Sequence, residues 1–162
     1  MKRRAYLLGL LPLATLAFTA GGAAAPSGST DLRLTKSDSC RGVPATIVGS
    51  PGDDTLVGTG EADVIAGLGG SDTIRPHAGR DLVCAGGGRD FVAAGSGSDR
   101  VFGGGGQDHL LGRRGPDLLD GGAAADEIEG NRGSDRLRGG AGVDGCSGGP
   151  GADSLRCERT RP

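Results

Sequence analysis

Gly103-Gly104-Gly105-Gly106-Gln107-Asp108-His109-Leu110-Leu111 repeats the phrase Gly67-Leu68-Gly69-Gly70-Ser71-Asp72-Thr73-Ile74-Arg75. Glycine holds the first and fourth places, Asp the sixth and an aliphatic residue the eighth. Working outward in nines, the phrase fills residues 49–156 with twelve units and no insertion. The sixth place is Asp in every unit: Asp54, Asp63, Asp72, Asp81, Asp90, Asp99, Asp108, Asp117, Asp126, Asp135, Asp144 and Asp153. The eighth is Leu, Ile or Val in all but one, where Cys146 stands. A period this strict fixes the architecture before any local propensity is weighed.

Six of the nine places hold the glycines and the Asp. Glycine tolerates tight bends and positive φ, so these six predict a turn. The remaining three predict a strand of about 10 Å, with the eighth side chain facing inward and the seventh and ninth outward. Two nines make one coil, and stacked coils predict an all-β, two-sheet parallel β-solenoid around a thin aliphatic core. Stacking also puts the Asp residues of alternate units in register. One column runs from Asp54 in steps of eighteen to Asp144, the other from Asp63 to Asp153. Carboxylates about 5 Å apart repel by about 3 kcal/mol per neighbouring pair at an effective dielectric near 20. Carboxylates joined by turn carbonyls form an oxygen-only ligand set, which suits Ca²⁺. Five gaps in each column set a ceiling of about ten ions.

The twelve units resemble the haemolysin-type (RTX) calcium-binding nonapeptide repeats. The resemblance implies a right-handed parallel β-roll, with Ca²⁺ between successive turns and the sixth-place Asp as side-chain ligand. The stretch Cys40-Arg41-Gly42-Val43-Pro44-Ala45-Thr46-Ile47-Val48-Gly49 is similar to secreted bacterial calcium-binding proteins of this class. Some units depart from the pattern. Glu61 and Ala124 replace the fourth-place glycine, and Pro76, Ala85 and Ala94 the first. If those places need positive φ, a Cβ there is strained, so weaker sites are expected beside units two, four, five, six and nine.

Outside the repeats the chain divides simply. Residues 1–25 read as a secretory signal: Lys2, Arg3 and Arg4, then an apolar run, then small residues. Secretion is the expected localisation. Removing this segment shifts the formal charge from −2 to −5, which argues against nucleic acid as a partner. Residues 26–48 form a polar leader, with a small strand expected at 31–35, and a capping coil in which Ala45 stands at the Asp place. Residues 157–162 read as a C-terminal tail, either a terminal cap or loose. Repeat arrays need such atypical ends.

Thirty-five glycines with three Phe, one Tyr and no Trp cannot make an ordinary core. A collagen period of three is excluded, since the seventh place holds glycine only at Gly145. Disorder competes with the roll, and both are expected: an unfolded chain without Ca²⁺, a folded one with it. Four cysteines in an exported chain predict disulfides, and Cys40–Cys84 with Cys146–Cys157 are the preferred pairs. No Cys-x-x-Cys or paired His spacing supports zinc, and nothing arranges a base and an orienting acid around His77 or His109. An identical Asp in every unit argues for a ligand array over a glycosidase pair. The expected function is therefore calcium binding without catalysis, by a monomer; the alternatives are a calcium-dependent adhesion, matrix or carbohydrate-binding module, or an accessory domain of a secreted hydrolase. The outward faces carry the individuality, with Phe91, Leu111, Glu127 and Glu129 on one sheet. On the other are Val64, Leu82, Arg100, Phe102, Leu118, Arg136 and Arg138. Either face offers a surface for a cell-surface or extracellular-matrix partner.

Overall fold

The computed structural model describes residues 39–161, so the expected signal segment and the strand at 31–35 lie outside the described residues. Every element described is a β-strand. The repeat folds into two parallel sheets, because each strand pairs with the strand two units on. One sheet orders Ile47–Val48, Val64–Ala66, Leu82–Gly87, Arg100–Gly105, Leu118–Ala123, Arg136–Ala141 and Ser154–Arg156. The other orders Thr55–Val57, Thr73–Arg75, Phe91–Gly97, His109–Arg114, Glu127–Arg132, Gly145–Ser147 and Arg159–Arg161, with His77–Gly79 also pairing Phe91–Gly97. Register is constant: Val83 opposes Val101, which opposes Leu119, which opposes Leu137. The solenoid has about six turns.

The eighth-place residues form the core. Ile65, Ile74, Val83, Val92, Val101, Leu110, Leu119, Ile128 and Leu137 are buried between the sheets, and Cys146 continues their line. One aliphatic side chain per nine residues is a thin core, and backbone ladders supply the remaining order.

Two expectations need correction, and a third narrows. The central strands are six or seven residues long, not three. Beyond the first place the turn rejoins the ladder, so Gly104 opposes Gly122 and Gly105 opposes Ala123. Positive φ falls at the second and fourth places, not the first: Gly104 has φ 114° and Gly106 φ 109°. Pro76, Ala85 and Ala94 therefore carry no left-handed strain, whereas the second-place Leu68, His77, Arg113 and Asn131 and the fourth-place Ala124 do, Ala124 as expected. Finally, of a cap and a loose tail, residues 157–161 form the cap. Arg159–Arg161 adds a strand to the second sheet, pairing Gly145–Ser147.

Both ends are tied by disulfides. Cys40 joins Cys84 with Cα atoms 5.4 Å apart. This draws the hairpin of Ser39–Cys40 and Val43–Pro44 onto the outer face of the first sheet. There Cys40 and Ala66 are buried. Cys146 joins Cys157, Cα atoms 6.1 Å apart, within the last coil.

Candidate metal centre

Each sixth-place Asp ends a turn and immediately precedes a strand, so its backbone and its side chain face adjacent coils. The Asp54 N–H donates to Asp72 Oδ1 at 2.9 Å. Asp72 does the same to Asp90, Asp90 to Asp108, Asp108 to Asp126 and Asp126 to Asp144, at 2.8 or 2.9 Å. In the second column Asp63 donates to Asp81, Asp81 to Asp99, Asp99 to Asp117, Asp117 to Asp135 and Asp135 to Asp153, again at 2.8 or 2.9 Å. All twelve sixth-place aspartates thus stand in two ladders, each step one coil long.

The ladder uses Oδ1. Oδ2 of Asp72, Asp81, Asp90, Asp99, Asp108, Asp117, Asp126, Asp135 and Asp144 is buried and has no hydrogen-bond partner. An orphaned carboxylate oxygen is among the costliest groups to bury. Its cost shows in the proton affinities. Burial pushes Asp108 and Asp117 up to about 7 and Asp126 up to about 6. The N–H of the preceding Asp pulls each of them back, and neighbouring carboxylates in the column push up again. Asp72, Asp81, Asp90, Asp99 and Asp135 are raised, above all by burial.

The first-place glycine shapes this site by proximity. A Cβ on Gly112 would lie 2.6 Å from Asp117 Oδ2 and 2.8 Å from the Gly130 carbonyl oxygen. Oxygens from two coils therefore crowd one bare Cα. A donor set made wholly of oxygen, with orphaned carboxylates in it, fits a hard divalent cation. Among the described residues no three acidic, His or Cys side chains converge on one point. Backbone carbonyls would have to complete any shell around the paired aspartates.

The ends of the columns differ, for a reason the nonapeptide pattern hides. Asp54 Oδ2 accepts from the N–H and Oγ of Ser50, at 2.5 and 2.9 Å. Asp63 Oδ2 accepts from the N–H and Oγ1 of Thr59, at 2.7 and 3.0 Å. A hydroxyl at the second place closes these two turns on themselves. Units four, five, six and nine, expected to be weak, leave Oδ2 orphaned like the rest. Unit two differs through Thr59 rather than Glu61.

Glu158 escaped sequence reasoning. Its Oε2 accepts the Asp144 N–H at 3.3 Å, the position a further Asp would take. Backbone N–H groups of Glu158 itself and of Asp144 hold its carboxyl below the usual range. The step here is fourteen residues instead of eighteen, so counting in nines passes over it; an acidic residue just before the strand Arg-Thr-Arg was the available signal. At the other end Thr46 Oγ1 donates to Asp63 Oδ1 at 3.4 Å, next to Ala45 at the missing Asp.

The histidines stand apart from this array. His109 packs edge-on against Phe91, ring centroids 5.4 Å apart, with Nε2 4.0 Å from a Glu129 oxygen. His77 sits at φ 83° on the neighbouring short strand. All four cysteines are in disulfides.

Comparison with known proteins agrees with this geometry. The model of the RTX calcium-binding nonapeptide repeat, in its four-copy form, matches residues 48–83, 85–119 and 120–155. Neither a curated protein nor a solved structure matches the chain.

Proposed function

We propose, for a chain that belongs to the RTX calcium-binding nonapeptide repeat family, that calcium is the folding trigger of an exported protein with no catalysis of its own. One observation carries the reading: nine buried Asp Oδ2 atoms, stacked in two columns, without a hydrogen-bond partner. A roll whose core is one aliphatic residue per nine cannot offset that many orphaned oxygens and the chain entropy as well. Calcium supplies the missing positive charge and couples binding to folding.

The aspartates from Asp72 to Asp144 and the turn carbonyls beside them would hold the ions, whose number stays at or below the ten or so gaps. Asp54 and Asp63, already satisfied by Ser50 and Thr59, would contribute least. Export is supported by the basic and apolar opening of residues 1–25 and by two disulfides, which persist in oxidising compartments. Millimolar extracellular Ca²⁺ would fill sites of the 10⁻⁴–10⁻³ M class typical of extracellular modules. A chain that reaches the outside unfolded would then fold there.

Circular dichroism of the residue 26–162 chain during a Ca²⁺ titration, with Mg²⁺ as control, tests this. The expected result is a cooperative gain of sheet signal with Ca²⁺ and not with Mg²⁺. An identical spectrum and melting curve in excess chelator would sink the proposal.

A further inference from the structure

The outward face of the first sheet changes character along its length. At the N-terminal end the disulfide-bound hairpin covers it. Beyond the hairpin lies an open groove of about 470 Å³ lined by Arg41, Phe102, Leu118, Arg136, Arg138 and Arg156. All four of these arginines are exposed. Arg41 reaches from the hairpin over the Phe102 ring, 4.4 Å from its centroid. One carboxylate enters the group: Asp120 Oδ2 lies 3.6 Å from Arg138 Nη1.

The register sharpens the point. Arg138 stands directly opposite Arg156 on the same face. Like charges in that relation destabilise a sheet, so the fold gains nothing from the pair. In the adjacent row Arg100 and Arg136 flank Leu118. They are therefore two strand steps apart, about 9.6 Å at the usual spacing. The whole chain is mildly acidic, at a formal −2, so the arginines do not reflect a general basic character.

We propose that this groove is a docking site for a linear acidic polysaccharide, its sulfate or carboxylate groups engaging Arg136, Arg138 and Arg156. Three features select that occupant. Guanidinium groups pair bidentately with planar or tetrahedral oxyanions. Beyond the groove the seventh-place row continues the positive strip to Arg100, two strand steps from Arg136, so an extended polyanion can follow it further along the sheet. Phe102 and Leu118, half-buried, give the floor an apolar surface for sugar rings. A net-acidic roll lacks the broad positive field on which nucleic-acid binding rests. The proposal needs only the folded roll and thus rests on the calcium reading to that extent.

The test uses the calcium-loaded residue 26–162 chain and fluorescein-labelled heparin and hyaluronan chains, followed by anisotropy at low ionic strength. At least one of the two should bind, more weakly as salt rises. Arg136→Ala and Arg138→Ala should each weaken binding about tenfold or more, as for loss of a charge-assisted contact. Arg75→Ala, on the other sheet, should leave it unchanged. Circular dichroism of every variant with Ca²⁺ separates a lost groove from a lost fold. Arg138→Lys, which keeps the charge and loses the fork, should fall between wild type and Arg138→Ala. Three results overturn the proposal. Neither polysaccharide binds a folded roll; the arginine variants bind as well as wild type; or single-stranded DNA competes equally. Self-association lost on Arg136→Ala, with no polysaccharide bound, would instead assign the face to a second copy packing its Glu127 and Glu129 side here.

Discussion

At the scale of single residues, two adjacent glycines show how unequal the repeat's places are. Gly106 has φ 109°, and a Cβ there would run into the backbone of Gly88 one coil away. A Cβ on Gly105 would meet nothing within 4 Å. Gly106→Ala is expected to destabilise the calcium-loaded roll by about 2 kcal/mol or more, and Gly105→Ala by about 0.5 kcal/mol or less. Urea melts in Ca²⁺ compare them, and equal midpoints would contradict the geometry. The aspartates give a second expectation. Asp108→Asn removes an orphaned anionic oxygen and should raise the Ca²⁺ midpoint of folding severalfold, while Arg89→Gln in an exposed turn should not. Ser50→Gly together with Thr59→Gly should remove one of the two donors from each of two more Oδ2 atoms and increase bound calcium, as counted by calorimetry. Protons compete for the same oxygens. The folded-state pKa of Asp108 and Asp117, about 7, lies above the unfolded value near 3.8. Stability from this source is thus fully present in the metal-free roll below about 4 and lost as pH rises through about 7. Calcium needs the ionised form, so its slope is opposite: the Ca²⁺ midpoint should fall as pH rises from about 5 to about 7.5. A midpoint indifferent to pH would mean that these oxygens are not the ligands.

At the scale of elements, the period of nine made the strands, their inward residues and both Asp ladders legible. The inward line of Ile65, Val83, Val101, Leu119 and Leu137 lies where the eighth place puts it. Strand length was not legible, because glycine carries no side-chain signal that could reveal a turn rejoining the ladder. Nor was all of the positive φ: Leu68, His77, Arg113 and Asn131 show only in three dimensions that the second place is left-handed as well as the fourth. Glu158 was hidden by a change of step, and the roles of Ser50 and Thr59 by the fact that hydroxyls are unremarkable in turns. The hairpin stapled by Cys40–Cys84 adds an expectation of its own. The bond spans 44 residues and the Cys146–Cys157 bond 11. Chain entropy then assigns about 4 kcal/mol to the first and about 3 kcal/mol to the second. Cys40→Ala with Cys84→Ala should lower the melting temperature in Ca²⁺ and speed proteolysis after Arg41, which the hairpin otherwise holds against the sheet.

At the scale of the molecule, stability is a sum over coils, each touching only its neighbours. Leu110→Ala in the middle should cost about 2–5 kcal/mol, since Leu110 is fully buried in a core with no second layer to collapse into the gap. Its effect should propagate both ways along the array, visible as hydrogen exchange faster in Phe91–Gly97 and Glu127–Arg132 than at the ends. Exchange confined to the mutated strand would argue that the coils are held more independently than the shared ladders suggest.

The alternation of the two sheets gives the gene a parity rule. Because consecutive nines belong to opposite sheets, removing one nine sends every downstream unit to the other side. Excising residues 103–111 would carry Arg136 and Arg138 onto the glutamate side, while the Asp ladders, identical in every unit, would re-form. Excising residues 103–120 takes out one whole coil and leaves each remaining side chain on its original side. Viable relatives of this chain should therefore differ in length by multiples of eighteen, growing and shrinking by the pair.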